Sequence, residues 1–145
     1  MLSCIEMTHI NFKVEHRWSS HPCNVHHARA AVRDFMEMYG IDSAELVELA
    51  IGEACANAVE HGSPYGSDSC FTVRCGLASE NREVIFEVED EGIEFALSRL
   101  TMVYPPDLES EGGRGLFLMN QIMDDVAVLS SPHGLIVRMT KRLLA

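Results

Sequence analysis

From residue 10 to 18 the chain alternates, with Ile10, Phe12, Val14, His16 and Trp18 standing against Asn11, Lys13, Glu15 and Arg17. That two-residue period predicts a half-buried strand, which Ser20 and Pro22 end. The period then lengthens. Val25, Ala28, Val32, Phe35, Met36 and Tyr39 recur at helical intervals, predicting a helix over Cys23 to Tyr39 that stops at Gly40. Asp42 followed by Glu45 reads as an N-cap with its reciprocal partner, opening a second helix that runs to His61 and ends at Gly62. Ser63 to Ser67, with Pro64 and Gly66, is a loop.

Alternation returns over Ser69 to Leu77, where Phe71, Val73, Cys75 and Leu77 share a side, and over Glu83 to Asp90, where Val84, Phe86 and Val88 do. The polar segment around Ser79 and Asn81 joins them as a hairpin. Between Gly92 and Gly115 the pattern weakens to a short helix around Phe95 to Met102, two prolines and a glycine run, a length that suggests a functional loop. A last helix, Leu116 to Met123, leads to a strand around Val126 to Leu129, a turn at Pro132 to Gly134 and a final strand from Leu135 to about Leu143. This order predicts an α+β fold, a two-layer sandwich of a mixed, mostly antiparallel sheet with helices on one face.

At 145 residues and 47% hydrophobic content, the chain suits one domain spanning 1–145. No apolar run approaches the roughly 20 residues of a bilayer span, and the stretch from Met1 to Asn11 lacks a basic start followed by an apolar segment. The expectation is a soluble, unexported protein. Five cysteines, an odd number without a CxxC pair, suggest neither a disulfide framework nor a zinc ribbon and fit a reducing cytoplasm. A formal charge of −11 with 11 Lys and Arg argues against direct nucleic-acid binding and for a protein or small-molecule partner.

Three places carry candidate chemistry. At 100° per residue, Leu46, Leu49, Ala50, Ala54 and Ala58 fall on one broad side of the second helix, and Glu53, Asn57 and His61 fall in the same arc. Polar groups on a core-facing stripe imply a lined pocket or a bound cation; the alternative, an edge of the stripe that reaches solvent, stays open from the helix alone. Asp90 continues the buried row of Val84, Phe86 and Val88, where a carboxylate can accept a ligand's amine, although an aspartate before Gly92 also suits a simple turn. Gly112, Gly113 and Gly115 lead directly into a helix, whose unpaired amides make a plausible phosphate cradle.

In chain order, Glu53-Ala-Cys-Ala-Asn57-Ala-Val-Glu-His61, Asp90-Glu-Gly92 and Gly112-Gly113-Arg114-Gly115-Leu116 resemble the N, G1 and G2 boxes of the GHKL, or Bergerat, ATP-binding fold. The C-terminal segments Phe117-Leu118-Met119, Met123-Asp124-Asp125-Val126 and Arg138-Met139-Thr140-Lys141-Arg142 are similar to the ends of anti-sigma-factor serine/threonine kinases. The resemblance implies that Asn57 helps hold Mg²⁺, that Glu53 is the general base, and that Asp90 receives the adenine amino group of ATP. It places Gly92 in the adenine-side loop and Gly113, Arg114, Gly115 and Leu116 near the phosphates, and counts His61, at the end of the first box, among the nucleotide-binding residues. It also implies the partners: a sigma factor, an anti-sigma-factor antagonist of the STAS-domain type, and a second copy in a homodimer. The chain departs from the family at Glu94, where a second glycine is usual, and at Leu135, where many relatives have threonine. A non-catalytic binding module of the same fold is the alternative that these two positions leave open.

Overall fold

The computed structural model describes residues 9–93 and 114–143. The expected helix around Phe95 to Met102, Glu94 and Gly113 lie outside the described residues. Within them the order is β1 (Asn11–Ser19), α1 (Asn24–Met38), α2 (Ala44–His61), a 3₁₀ turn (Gly66–Asp68), β2 (Cys70–Ala78), β3 (Glu83–Glu89), α3 (Arg114–Ile122), β4 (Asp125–Ser130) and β5 (Leu135–Arg142). The predicted sequence of elements and the α+β class are those observed.

The helices form where the apolar period puts them. In α1, Ala28, Val32, Phe35 and Met36 are buried, and Gly40, at φ +64°, closes the helix. There the Ile41 amide donates to the Met36 carbonyl and the Gly40 amide to Glu37, the paired bonds of a Schellman ending. The start of α2 corrects the sequence reading: its N-cap is Ser43, in a left-handed conformation and without a side-chain capping bond. Because the Ser43 carbonyl accepts the first helical bond, from Val47, Asp42 lies one residue too early to cap, and the Asp42–Glu45 box does not form.

The buried stripe of α2 is also rotated from the expected one. Val47, Ala50, Ile51, Ala54, Cys55 and Ala58 are buried, whereas Leu46 and Leu49 are 54% and 40% exposed. Val47, Ile51, Ala54 and Ala58 recur at i, i+4, i+7 and i+11, a stripe of small and β-branched side chains that packs into the core with α1 and the sheet. Glu48 is buried on its α1 flank, where Arg33 meets it in a two-point ion pair of 2.7 and 3.0 Å.

The sheet order is β1-β2-β3-β5-β4, every ladder antiparallel. Phe71, Val73, Cys75, Val84, Phe86, Val88, Val137 and Met139 share one core cluster with the helices. The other face carries a charged row across four strands: Glu15 is in register with Arg74, Arg74 with Glu87, and Glu87 with Arg138. Arg74 reaches Glu15, Glu87 and Glu89 at 3.3, 3.1 and 2.6 Å, and Arg138 reaches Glu87 at 2.7 Å. Because β4 lies outside β5, the chain returns beside β3. The end of β3, the β4–β5 turn and the C-terminus of α2 thereby meet at one place.

Candidate functional site

At that meeting point stands Asp90, 4% exposed. Its Oδ1 accepts hydrogen bonds from the amides of Gly92 at 3.0 Å and Leu135 at 3.1 Å. Burying a carboxylate without donors is costly, so the fold supplies them from the backbone. Glycine at two distant positions makes the room: a Cβ on Gly62, the C-cap of α2, or on Gly134, in the last turn, would collide with the Asp90 carboxyl group. Neither glycine was singled out for the site from the sequence, where they read as a helix stop and a turn.

Four consecutive amides hold the segment that follows. Asp90 donates to Leu135 O, Glu91 to Gly62 O and Ile93 to His133 O, each at 3.1 Å, and Gly92 donates to Asp90 itself. Leu135 lacks the hydroxyl expected from the resemblance, and its side chain is in the core at 1% exposure, but its backbone still joins the Asp90 network.

Glu53 and Asn57 do not point into the core. They sit half-buried on the rim of α2, the solvent-reaching edge that the helix alone left open. What they face is the start of α3. A Cβ added to Gly115 would lie 3.3 Å from Glu53 Oε2 and 3.7 Å from Asn57 Nδ2, so a larger residue would fill the cradle between the two helices. Among the described residues neither the Glu53 nor the Asn57 side chain has a hydrogen-bond partner. Their oxygens and the first amides of α3 are available together, a donor set that fits a phosphate with a hard cation. Leu116 is half-buried and packs on the core, fixing the α3 start. His61 is also half-buried and lies 3.8 Å from Glu60.

The structure thus brings together Glu53, Asn57, Gly115 and Leu116 at one end, and Asp90 and Gly92 with Gly62 and Gly134 at the other, with His61 on α2 between them. At a rise of 1.5 Å per residue, Glu53 and Gly62 are about 13 Å apart along α2.

Comparison with known proteins identifies the family. A profile of the histidine kinase-like ATPase domain matches residues 18–141. The serine-protein kinase RsbW of Bacillus subtilis is 36% identical over 110 residues, covering 72% of this chain and 68% of that protein. RsbW of Bacillus velezensis gives the same figures, and RsbW of Bacillus licheniformis is 36% identical over 71% of this chain. Among solved structures, the RsbU and RsbW domains of a Mycobacterium tuberculosis protein superpose with a TM-score of 0.65 at 20% identity, over 90% of this chain and 33% of that one.

Proposed function

The chain belongs to the histidine kinase-like ATPase domain family, as an RsbW-like protein serine/threonine kinase, and from that premise we propose that it sequesters a sigma factor and phosphorylates an anti-sigma-factor antagonist with Mg-ATP in a partner-switching pathway. The observation that carries the reading is the strip from Asp90 to Gly115, a buried acceptor at one end and a glycine-floored helix start facing Glu53 and Asn57 at the other.

In this reading Asp90 accepts the adenine amino group, with Gly92 beside it, and Arg114, Gly115 and Leu116 at the start of α3 receive the phosphates, together with Gly113, which lies outside the described residues. Asn57 is the residue that would hold Mg²⁺, which when bound offsets charge on the phosphate oxygens. Glu53 takes the proton of the target hydroxyl as its oxygen forms a bond to the γ-phosphorus and the bond from that phosphorus to the β-bridging oxygen breaks, releasing ADP. The acidic chain suits a basic partner surface. A homodimer in the cytoplasm completes the proposal.

The non-catalytic module is not favoured, because such a module has no physical need for a carboxylate and an amide facing a helix start across a glycine. The test is phosphoryl transfer from γ-labelled ATP to the cognate antagonist, with native protein and Glu53→Gln. Label on the antagonist that disappears in the variant supports the reading; equal labelling by both contradicts it.

A further inference from the structure

Successive residues of an extended strand point to opposite faces. As β3 ends, Asp90 turns toward the helices and Glu91 toward the open face, 35% exposed. The Glu91 carboxylate is nevertheless engaged on both oxygens: Oε1 accepts the amide of Cys70, the first residue of β2, at 2.6 Å, and Oε2 accepts Arg17 of β1 at 3.3 Å. Its own amide donates to Gly62, which borders Asp90. One residue therefore ties the Asp90 segment to β1, β2 and α2 together.

We propose that Glu91 is a positioning residue for nucleotide recognition: its carboxylate, anchored on the Cys70 amide and Arg17, holds the Asp90 carboxyl group in register with the base. The inference rests on the nucleotide reading of the site. The bonds to Leu135 and His133 come from the β5 side of β3, opposite β2 in the sheet order, whereas the Glu91 carboxylate ties the segment to β2 and β1. Behind it lies an open cavity of about 290 Å³ lined by residues that include Arg17, Cys70, Glu89, Glu91 and His133.

The base supplies a readout that general loosening of the fold would not move. Adenine offers an exocyclic amine where guanine offers a carbonyl; a carboxylate accepts from the first and repels the second. A correctly held Asp90 therefore favours ATP over GTP, and a misplaced one loses the preference.

The experiment is calorimetric titration of the full chain with ATP and with GTP, Mg²⁺ present, for native protein, Glu91→Ala, Glu91→Gln, Arg17→Glu and Asp90→Asn. Glu91→Ala is expected to weaken ATP binding about ten-fold and to reduce the ATP-to-GTP ratio, whereas Glu91→Gln, which keeps an oxygen for the Cys70 amide, stays within about three-fold of native. Arg17, with a side chain 64% exposed, tolerates replacement, so Arg17→Glu keeps the test alive if Glu91→Ala fails to fold; it too lowers the ratio by repelling Glu91. Native affinity and ratio in Glu91→Ala, or an unchanged ratio in a folded Arg17→Glu, overturn the proposal while Asp90→Asn still loses binding. Native protein that binds neither nucleotide overturns the nucleotide reading and this inference with it.

Discussion

Asp90 and Glu53 are two carboxylates on one strip, held in opposite ways. Asp90 is 4% exposed, boxed by Gly62 and Gly134, with two backbone amides on one oxygen. Glu53 is half-buried on the rim of α2, facing Gly115, its side chain without a hydrogen-bond partner among the described residues. The difference follows from what each is proposed to do. A group that recognises a base gains from being fixed beforehand, because the ordering cost is met in folding. A group that takes a proton from another protein's hydroxyl needs reach and access instead.

The sharpest break of that comparison is at Glu53. Glu53→Gln is expected to lower the phosphorylation rate by about 10²- to 10⁴-fold while ATP affinity stays within about two-fold, read by single-turnover labelling beside calorimetry. A parallel loss of affinity would mean that Glu53 binds ground-state nucleotide. Next is the box around Asp90: Gly134→Ala drives a methyl group into the carboxyl group, and thermal melting should show a destabilisation of about 1–3 kcal/mol, with nucleotide binding lost.

At the other end the same change is mild. Gly115→Ala brings a Cβ to 3.3 Å from Glu53 Oε2, a distance that a small shift relieves. The expected result is a melting temperature near native with phosphoryl transfer reduced about ten-fold. If Gly115→Ala destabilised the fold as much as Gly134→Ala, the two ends would not differ in rigidity as described.

Much of the scaffold was legible because it is written in local period. The alternation from Ile10 to Trp18 and from Phe71 to Leu77, and the spacing of Ala28, Val32 and Phe35, each fix an element without long-range knowledge. The phase of α2 was not, since Leu46 and Leu49 are as apolar as Val47 and Ile51, and which set is buried depends on α1 and the sheet. Of the site, the residue types at Glu53, Asn57, Asp90 and Gly115 were visible. The pairing of Asp90 with Gly62 and Gly134 was not, nor was the row Glu15–Arg74–Glu87–Arg138, because both need the strand register.

A third carboxylate, Glu89, is ion-paired on the open face and sharpens the contrast through pH. Burial pushes its carboxyl group up, but the hydrogen bond from Arg74, the neighbouring Ser131 hydroxyl and the charges of Arg74 and His133 outweigh that and hold it below the usual carboxylate range. A lowered pKa contributes stability above the unfolded-state value and loses it as pH falls through the folded one. Thermal melts of Arg74→Gln should therefore lie below native at pH 7, with the gap narrowing below about pH 4. A gap independent of pH would assign the loss to packing. The smallest effect expected is on thiol chemistry: burial raises the Cys55 thiol and pushes Cys75 up to about 12, so mass-mapped alkylation at neutral pH should modify exposed Cys23 and spare both until the chain unfolds.

Whether Asp90 is the fixed end of a nucleotide site is decided by isothermal titration of native protein and Asp90→Asn with ATP, with and without Mg²⁺. Native protein is expected to bind ATP in a magnesium-dependent way, with binding weakened at least about ten-fold in the variant. Absence of binding at millimolar ATP, or equal binding by both proteins, would contradict it.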